Sequence, residues 1–95
     1  MRIIAGTKRG QRIAAPKGRD TRPTLDRVKE SLFGIIQFEI AGKTVLDLFA
    51  GSGNLGLEAL SRGAEHAVFN DAARESAAVV RANVEKLGFL RQSTI

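Results

Sequence analysis

The stretch Thr44-Val45-Leu46-Asp47-Leu48-Phe49-Ala50-Gly51-Ser52-Gly53-Asn54-Leu55-Gly56 decides how this chain is read. It opens with an almost unbroken apolar run. That run predicts a buried strand over residues 44–49, of the kind that parallel sheets cover on both faces. A glycine loop follows, then a helix over residues 54–61, with Gly63 suited to the position just past its end. The spacing Gly51-x-Gly53-x-x-Gly56, between a strand and a helix, fits a loop that binds dinucleotide-like ligands. Glycines there let the backbone turn tightly and let a ligand approach the main chain. Ala67-Val68-Phe69 predicts the next strand. Asp71 at its end is placed to accept hydrogen bonds from the hydroxyls of a ribose. Asn70 and Asp71 fall on opposite sides by strand alternation, and Asp71 is the favoured ligand residue. Together these features point to an adenosine-containing ligand.

Asp47 narrows the choice. It interrupts the apolar run four positions before Gly51. A carboxylate at the mouth of the loop repels the pyrophosphate of a nicotinamide or flavin cofactor. S-adenosylmethionine has no phosphate, and it carries a sulfonium and an ammonium that a carboxylate attracts. The plainer alternative is a buried carboxylate satisfied by nearby backbone amides.

Outward from this centre the chain alternates. Thr24 to Phe38 predicts a helix, with Thr24 as its cap, Asp26 in its first turn and Val28, Leu32, Ile35 and Ile36 at helical spacing. Ala72 to Leu87 predicts another, with Val79, Val80, Val84 and Leu87 on one face and Gly88 as its stop. Ser93-Thr94-Ile95 begins a third strand. Before all of this, Arg2–Gly6 and Gln11–Ala15 flank a Gly-containing turn and predict a hairpin. Strand–helix alternation of this kind makes a parallel sheet with right-handed crossovers. The fold class expected is α/β: the N-terminal part of a Rossmann-like domain over residues 24–95, preceded by a basic hairpin and loop over 1–23.

Composition sets limits. The 95 residues include no Cys, which excludes disulfides, thiol nucleophiles and cysteine zinc sites. No apolar run reaches the roughly 18 residues of a membrane span, and the N-terminus has no apolar core of signal-peptide length, so the expected setting is the cytoplasm. The net charge of +5 is uneven. Residues 1–30 carry nine Lys or Arg against three acids and stand at +6, while the remainder stands at −1. A basic arm on a nearly neutral body suggests a polyanion partner.

The motifs also resemble a known family. Asp47-Leu48-Phe49-Ala50-Gly51-Ser52-Gly53 resembles motif I of class I methyltransferases, and more closely that of the RsmD-like 16S ribosomal RNA (guanine-N2)-methyltransferases. Met1-Arg2-Ile3-Ile4-Ala5-Gly6, Arg9-Gly10, Arg22-Pro23-Thr24, Asp26-Arg27, Lys29-Glu30, Leu32-Phe33 and Gly56 to Ala64 continue the likeness in order over nearly the whole chain. The resemblance implies methyl transfer from S-adenosylmethionine to the exocyclic N2 of a guanine in 16S rRNA, alone or in a small-subunit assembly intermediate. It implies a cofactor site of Asp47, Phe49, Gly51, Ser52, Gly53, Gly56 and Asp71, with Thr24 and Arg27 folding over it. Lys8, Arg9, Arg12, Lys17, Arg19 and Arg22 are the expected RNA-facing cations, which suit backbone phosphates and not base recognition.

One element of the family pattern is missing. Enzymes that methylate exocyclic amines carry an Asn/Asp-Pro-Pro-Tyr/Phe motif that orients the amine, and the only prolines here are Pro16 and Pro23. No catalytic residue and no metal site is therefore assigned, and little turnover is expected from these 95 residues alone. A non-catalytic RNA- and cofactor-binding module is the second reading, and a nicotinamide-binding fragment the third. Among other residues, Glu58, Glu75 and Asn83 are expected to face solvent, His66 to lie at a strand edge, and Phe33 to join the core. An uncovered sheet edge predicts marginal stability, a dimer, or further strands of the same protein that complete the sheet.

Overall fold

The computed structural model describes residues 1–15, 23–48, 50–71 and 73–95, with side chains in the first helix described from Arg27 onward. Helix α1 (Pro23–Ile36) precedes strand β1 (Thr44–Asp47), helix α2 (Asn54–Ser61), strand β2 (His66–Phe69), helix α3 (Arg74–Leu87), a 3₁₀ turn (Leu90–Gln92) and strand β3 (Ser93–Thr94). The strands form one parallel sheet in the order β1-β2-β3. Thr44 pairs with His66 and Asp47 with Phe69, so the C-terminal ends of β1 and β2 finish level. The predicted β-α-β-α-β order is present, with α2 matching its expected bounds.

Why α2 lies at the centre is plain from its residues. Asn-Leu-Gly-Leu-Glu-Ala-Leu-Ser has almost no polar face, and every residue from Gly56 to Ser61 is buried. Leu57 and Leu60 meet Ala67, Phe69, Val80, Val84 and Leu87 in one core, to which Ile3 and Ile13 also belong. The sheet, α3 and the N-terminal segment supply that cover.

The hairpin is looser than expected. It has one antiparallel bridge, Arg2 to Arg12, with Ile3 N–H donating to Gln11 O at 2.9 Å and Gly10 N–H to Ile3 O at 2.8 Å. Its hold comes from elsewhere. Thr7 N–H donates to Ser61 O at 2.8 Å, Lys8 N–H to Ser61 Oγ at 3.0 Å, and Ser61 Oγ to Ala5 O at 2.7 Å. Asn83 Oδ1 accepts from Ala14 N–H at 2.8 Å, and its Nδ2 donates to Ala14 O at 2.9 Å. The segment is thus strapped across α2 from its last turn to α3. Gly6 permits the crossing: at φ 88° a Cβ there would stand 1.9 Å from the Ser61 carbonyl oxygen.

Several expectations change. α1 begins at Pro23, which suits the first helical position, so Thr24 lies inside the first turn and is not the cap. The apolar stripe of α1 faces outward: Val28 is 60% exposed and Ile35 81%, while the inward row is Lys29 and Phe33, with Ile36 half-buried. β1 is shorter than expected and covered on one face only, since Asp47 is buried and Leu46 is 58% exposed. Asn83 and Glu58, expected at the surface, are 2% and 0% exposed. Each is enclosed because it bonds the N-terminal strap, a partner that helical periodicity does not reveal.

Candidate functional site

The site lies where β1 and β2 end side by side. Asn70 N–H donates to Asp47 O at 2.9 Å and Ala50 N–H to Asn70 O at 3.0 Å, which carries the pairing past the strands and into the loop. The loop then turns through positive φ at Gly51 (56°) and Gly53 (83°) into α2. Two carboxylates grip it. Asp71 Oδ2 accepts from Gly51 N–H at 3.0 Å, and Asp71 Oδ1 from Ala73 N–H at 2.9 Å. Asp47 Oδ2 accepts from Gly56 N–H at 3.1 Å. Asp71 is therefore the member of the Asn70–Asp71 pair that turns toward the loop, while exposed Asn70 reaches back to Leu48 O at 3.5 Å.

Burial pushes the Asp47 carboxyl above its ordinary value of 3.8; the Gly56 amide opposes the shift and the negative Asp71 adds to it. A buried anion beside a second anion favours a cation as neighbour. The amide bond to Gly56 matches the plainer reading of Asp47, and it leaves the charge of the carboxylate beside the loop.

The glycines divide their work. Gly56 is packing: a Cβ there would lie 2.3 Å from Phe69 Cε1, so α2 sits on the aromatic ring with no room for a side chain. Ser52 is buried and held from two sides, its hydroxyl 3.5 Å from Met1 Sδ and its carbonyl accepting from Asn83 Nδ2 at 2.8 Å. The N-terminal strap and α3 thus brace the loop from behind.

Among the predicted cations, Arg9 and Arg12 are exposed on the strap, and the Lys8 ammonium sits 5.8 Å over the Phe89 ring. Arg27 is exposed and lines a cavity against the hairpin together with Arg2 and Arg9. Thr24 lies in the first turn of α1. Phe49, Lys17, Arg19 and Arg22 lie outside the described residues. His66 is half-exposed on β2 and bonds Thr94 Oγ1 at 2.8 Å.

A buried charge cluster went unseen in the sequence. Lys29, 1% exposed, donates to Arg2 O at 2.6 Å and Asn54 Oδ1 at 2.7 Å, and its ammonium lies 3.1 Å from Glu58 Oε1. Glu58 also accepts from Ile4 N–H at 2.8 Å, Ala5 N–H at 3.0 Å and Arg62 Nε at 2.8 Å. The Arg62 guanidinium in turn stacks 4.8 Å from the centre of Phe33, which is buried as expected. Burial pushes the Glu58 carboxyl up, but the Ile4 amide, Arg62 and Lys29 outweigh it and hold it below its ordinary 4.5. The cluster ties strap, α1 and the start of α2 together one residue beyond the glycine loop. One signal was available: a helix with a single charge among apolar neighbours on every side must bury that charge against a partner.

The family model described as "Conserved hypothetical protein 95" matches residues 1–95. The chain belongs to that family. It is 45% identical over 95 residues to YlbH of Bacillus subtilis (strain 168), covering all of this chain and 52% of that protein. It is 42% identical over 87 residues to the ribosomal RNA small subunit methyltransferase D of Haemophilus influenzae, covering 92% of this chain and 45% of that enzyme. Among solved structures, Escherichia coli yhhF superposes with a TM-score of 0.86 at 36% identity, over 98% of this chain and 49% of the other. The chain spans about half the length of these family members. Family membership agrees with the α/β architecture and with the resemblance drawn from motif I.

Proposed function

We propose that this chain forms the S-adenosylmethionine-binding portion of an enzyme that methylates the exocyclic N2 of a guanine in small-subunit rRNA. One observation carries the reading: Asp47 and Asp71 flank the glycine loop at the level ends of two adjacent parallel strands, with Asp47 buried and its carboxyl raised. That donor set fits S-adenosylmethionine. Ionised Asp47 attracts the cationic methionine end, Asp71 reaches ribose hydroxyls, and the loop offers close main-chain approach. The bound cofactor supplies an activated methyl group. This chain's share is to bind it, orient it and exclude phosphate-bearing competitors.

The substrate follows from family membership and from the basic strap. Small-subunit rRNA, free or in an assembly intermediate, is the proposed partner in the cytoplasm. No helix among the described residues is long and apolar enough to cross a membrane. Orientation of the amine falls to a motif that these 95 residues lack, and alignment of reacting groups carries much of the rate of such transfers.

Calorimetric titration tests the site. S-adenosylmethionine should bind the wild-type chain, bind Asp47→Ala at least tenfold more weakly, and outcompete NAD. Equal heats for the two proteins would sink the role of Asp47. The missing motif favours a second reading, a binding module without catalysis; measurable methylation of small-subunit RNA by the purified chain rules it out.

A further inference from the structure

We infer that the cavity between the hairpin and α1 is a seat for a phosphodiester group of the RNA backbone. The inference rests on the RNA reading above and adds the place and the residues. The cavity holds about 410 Å³, within the usual range for a small-ligand site. Among the described residues its floor is Ile3 and Ile4, and its rim carries Arg2, Arg9 and Arg27 with Glu30 as the single acid.

Those arginines come from three separate parts of the chain: its start, the hairpin turn and the second turn of α1. All three are exposed. Together they line one cavity. A further like-charged pair lies beside them, since Arg2 is bridged directly to Arg12 across the hairpin, and like charges so placed destabilise a strand pair. An anion in the cavity meets this positive charge, and the fork geometry of arginine matches phosphate oxygens.

The floor is rigid enough to hold such a site. Ile3 is 1% exposed in the core, Arg2 O accepts from buried Lys29, and Ile4 N–H is fixed by Glu58. A polynucleotide is favoured over a free ion because the cavity is open and exposed Arg12, bridged to Arg2 across the hairpin, offers a neighbouring phosphate a second contact.

Fluorescence anisotropy with a labelled single-stranded RNA of about 20 nucleotides, at roughly 50–200 mM salt, tests this. Arg2→Gln, Arg9→Gln and Arg27→Gln should each weaken binding about threefold and flatten the salt slope by about 0.7, the single-strand value for one phosphate contact. Arg27→Lys should restore the slope, and Arg81→Gln on the exposed side of α3 should leave it unchanged. Unchanged slopes in all three glutamine variants, with wild-type binding intact, overturn the cavity assignment and leave the RNA reading standing. Absence of RNA binding by the wild-type chain overturns both. Inorganic phosphate that displaces the RNA at micromolar concentration overturns the choice of polynucleotide over free ion.

Discussion

Two buried carboxylates, Asp47 and Glu58, respond to their surroundings in opposite directions. Glu58 is held below its ordinary 4.5, so its contribution to stability is present above that pH and is lost as pH falls through the lower folded value. Lys29→Met leaves Glu58 with one fewer cation in a dry site and is expected to cost about 3 kcal/mol, read from urea midpoints; the loss should shrink below pH 4.5 as Glu58 protonates. Asp47 is raised above 3.8, so its ionised form costs stability at neutral pH, and that cost is relieved on acidification toward the raised value. Asp47→Asn should therefore be neutral or stabilising in thermal melts near pH 7 while weakening S-adenosylmethionine binding tenfold or more. In the wild type, that affinity should fall with acidification at a higher pH than an ordinary aspartate would give, and the variant should lose this dependence. Asp47 was legible in the sequence because a charge inside an apolar strand demands an explanation. Lys29 and Glu58 were not, because charged residues on helices are mostly exposed and, Arg62 apart, their partners lie 25 to 54 positions away.

At the level of elements, the alternation of strands and helices was readable because each segment has its own period and its own stop. Gly63 and Gly88 end α2 and α3 where expected, and the Val80, Val84 and Leu87 row faces the core. α1 was read correctly in kind but its orientation was not: Val28, Leu32 and Ile35 form the obvious apolar row, yet the helix turns Lys29 and Phe33 inward. Lys29 is inside because Glu58, Asn54 and the Arg2 carbonyl gather there to receive it. The junction of α2 and β2 yields a sharp test. Gly56→Ala places a methyl group against the Phe69 ring, and α2 must lift from the sheet. A loss of about 1–3 kcal/mol is expected from such overpacking, and Gly56→Ala with Phe69→Leu should recover part of it. S-adenosylmethionine affinity should fall with the single change, since α2 carries the loop.

Seen whole, the molecule has a finished side and an unfinished one. Strap, α2 and α3 close over one face. At the edge of the sheet, Leu32, Ile36, Leu46, Leu48 and Leu55 line an open apolar hollow of about 330 Å³ between α1, α2 and the terminal strand β1. Exposed apolar surface of this kind beside an unpaired strand edge promotes association. Sedimentation velocity of the 95-residue chain should show concentration-dependent self-association, and Leu46→Lys should shift it toward monomer without lowering the melting temperature. The sequence predicts an uncovered sheet edge but does not say which one, because a strand awaiting cover and a strand already covered have the same apolar composition.

The strap has a consequence in time as well as in space. Its partners stand 53 to 69 positions further along the chain: Glu58, Ser61 and Asn83. The early part of the strap therefore cannot take its final place until Glu58 and Ser61 are in position, nor Ala14 until Asn83 is. Closing loops of that length is slow compared with forming α2 or α3. The arginines of the strap stay unanchored until then, and their final arrangement records that α2 and α3 have already formed.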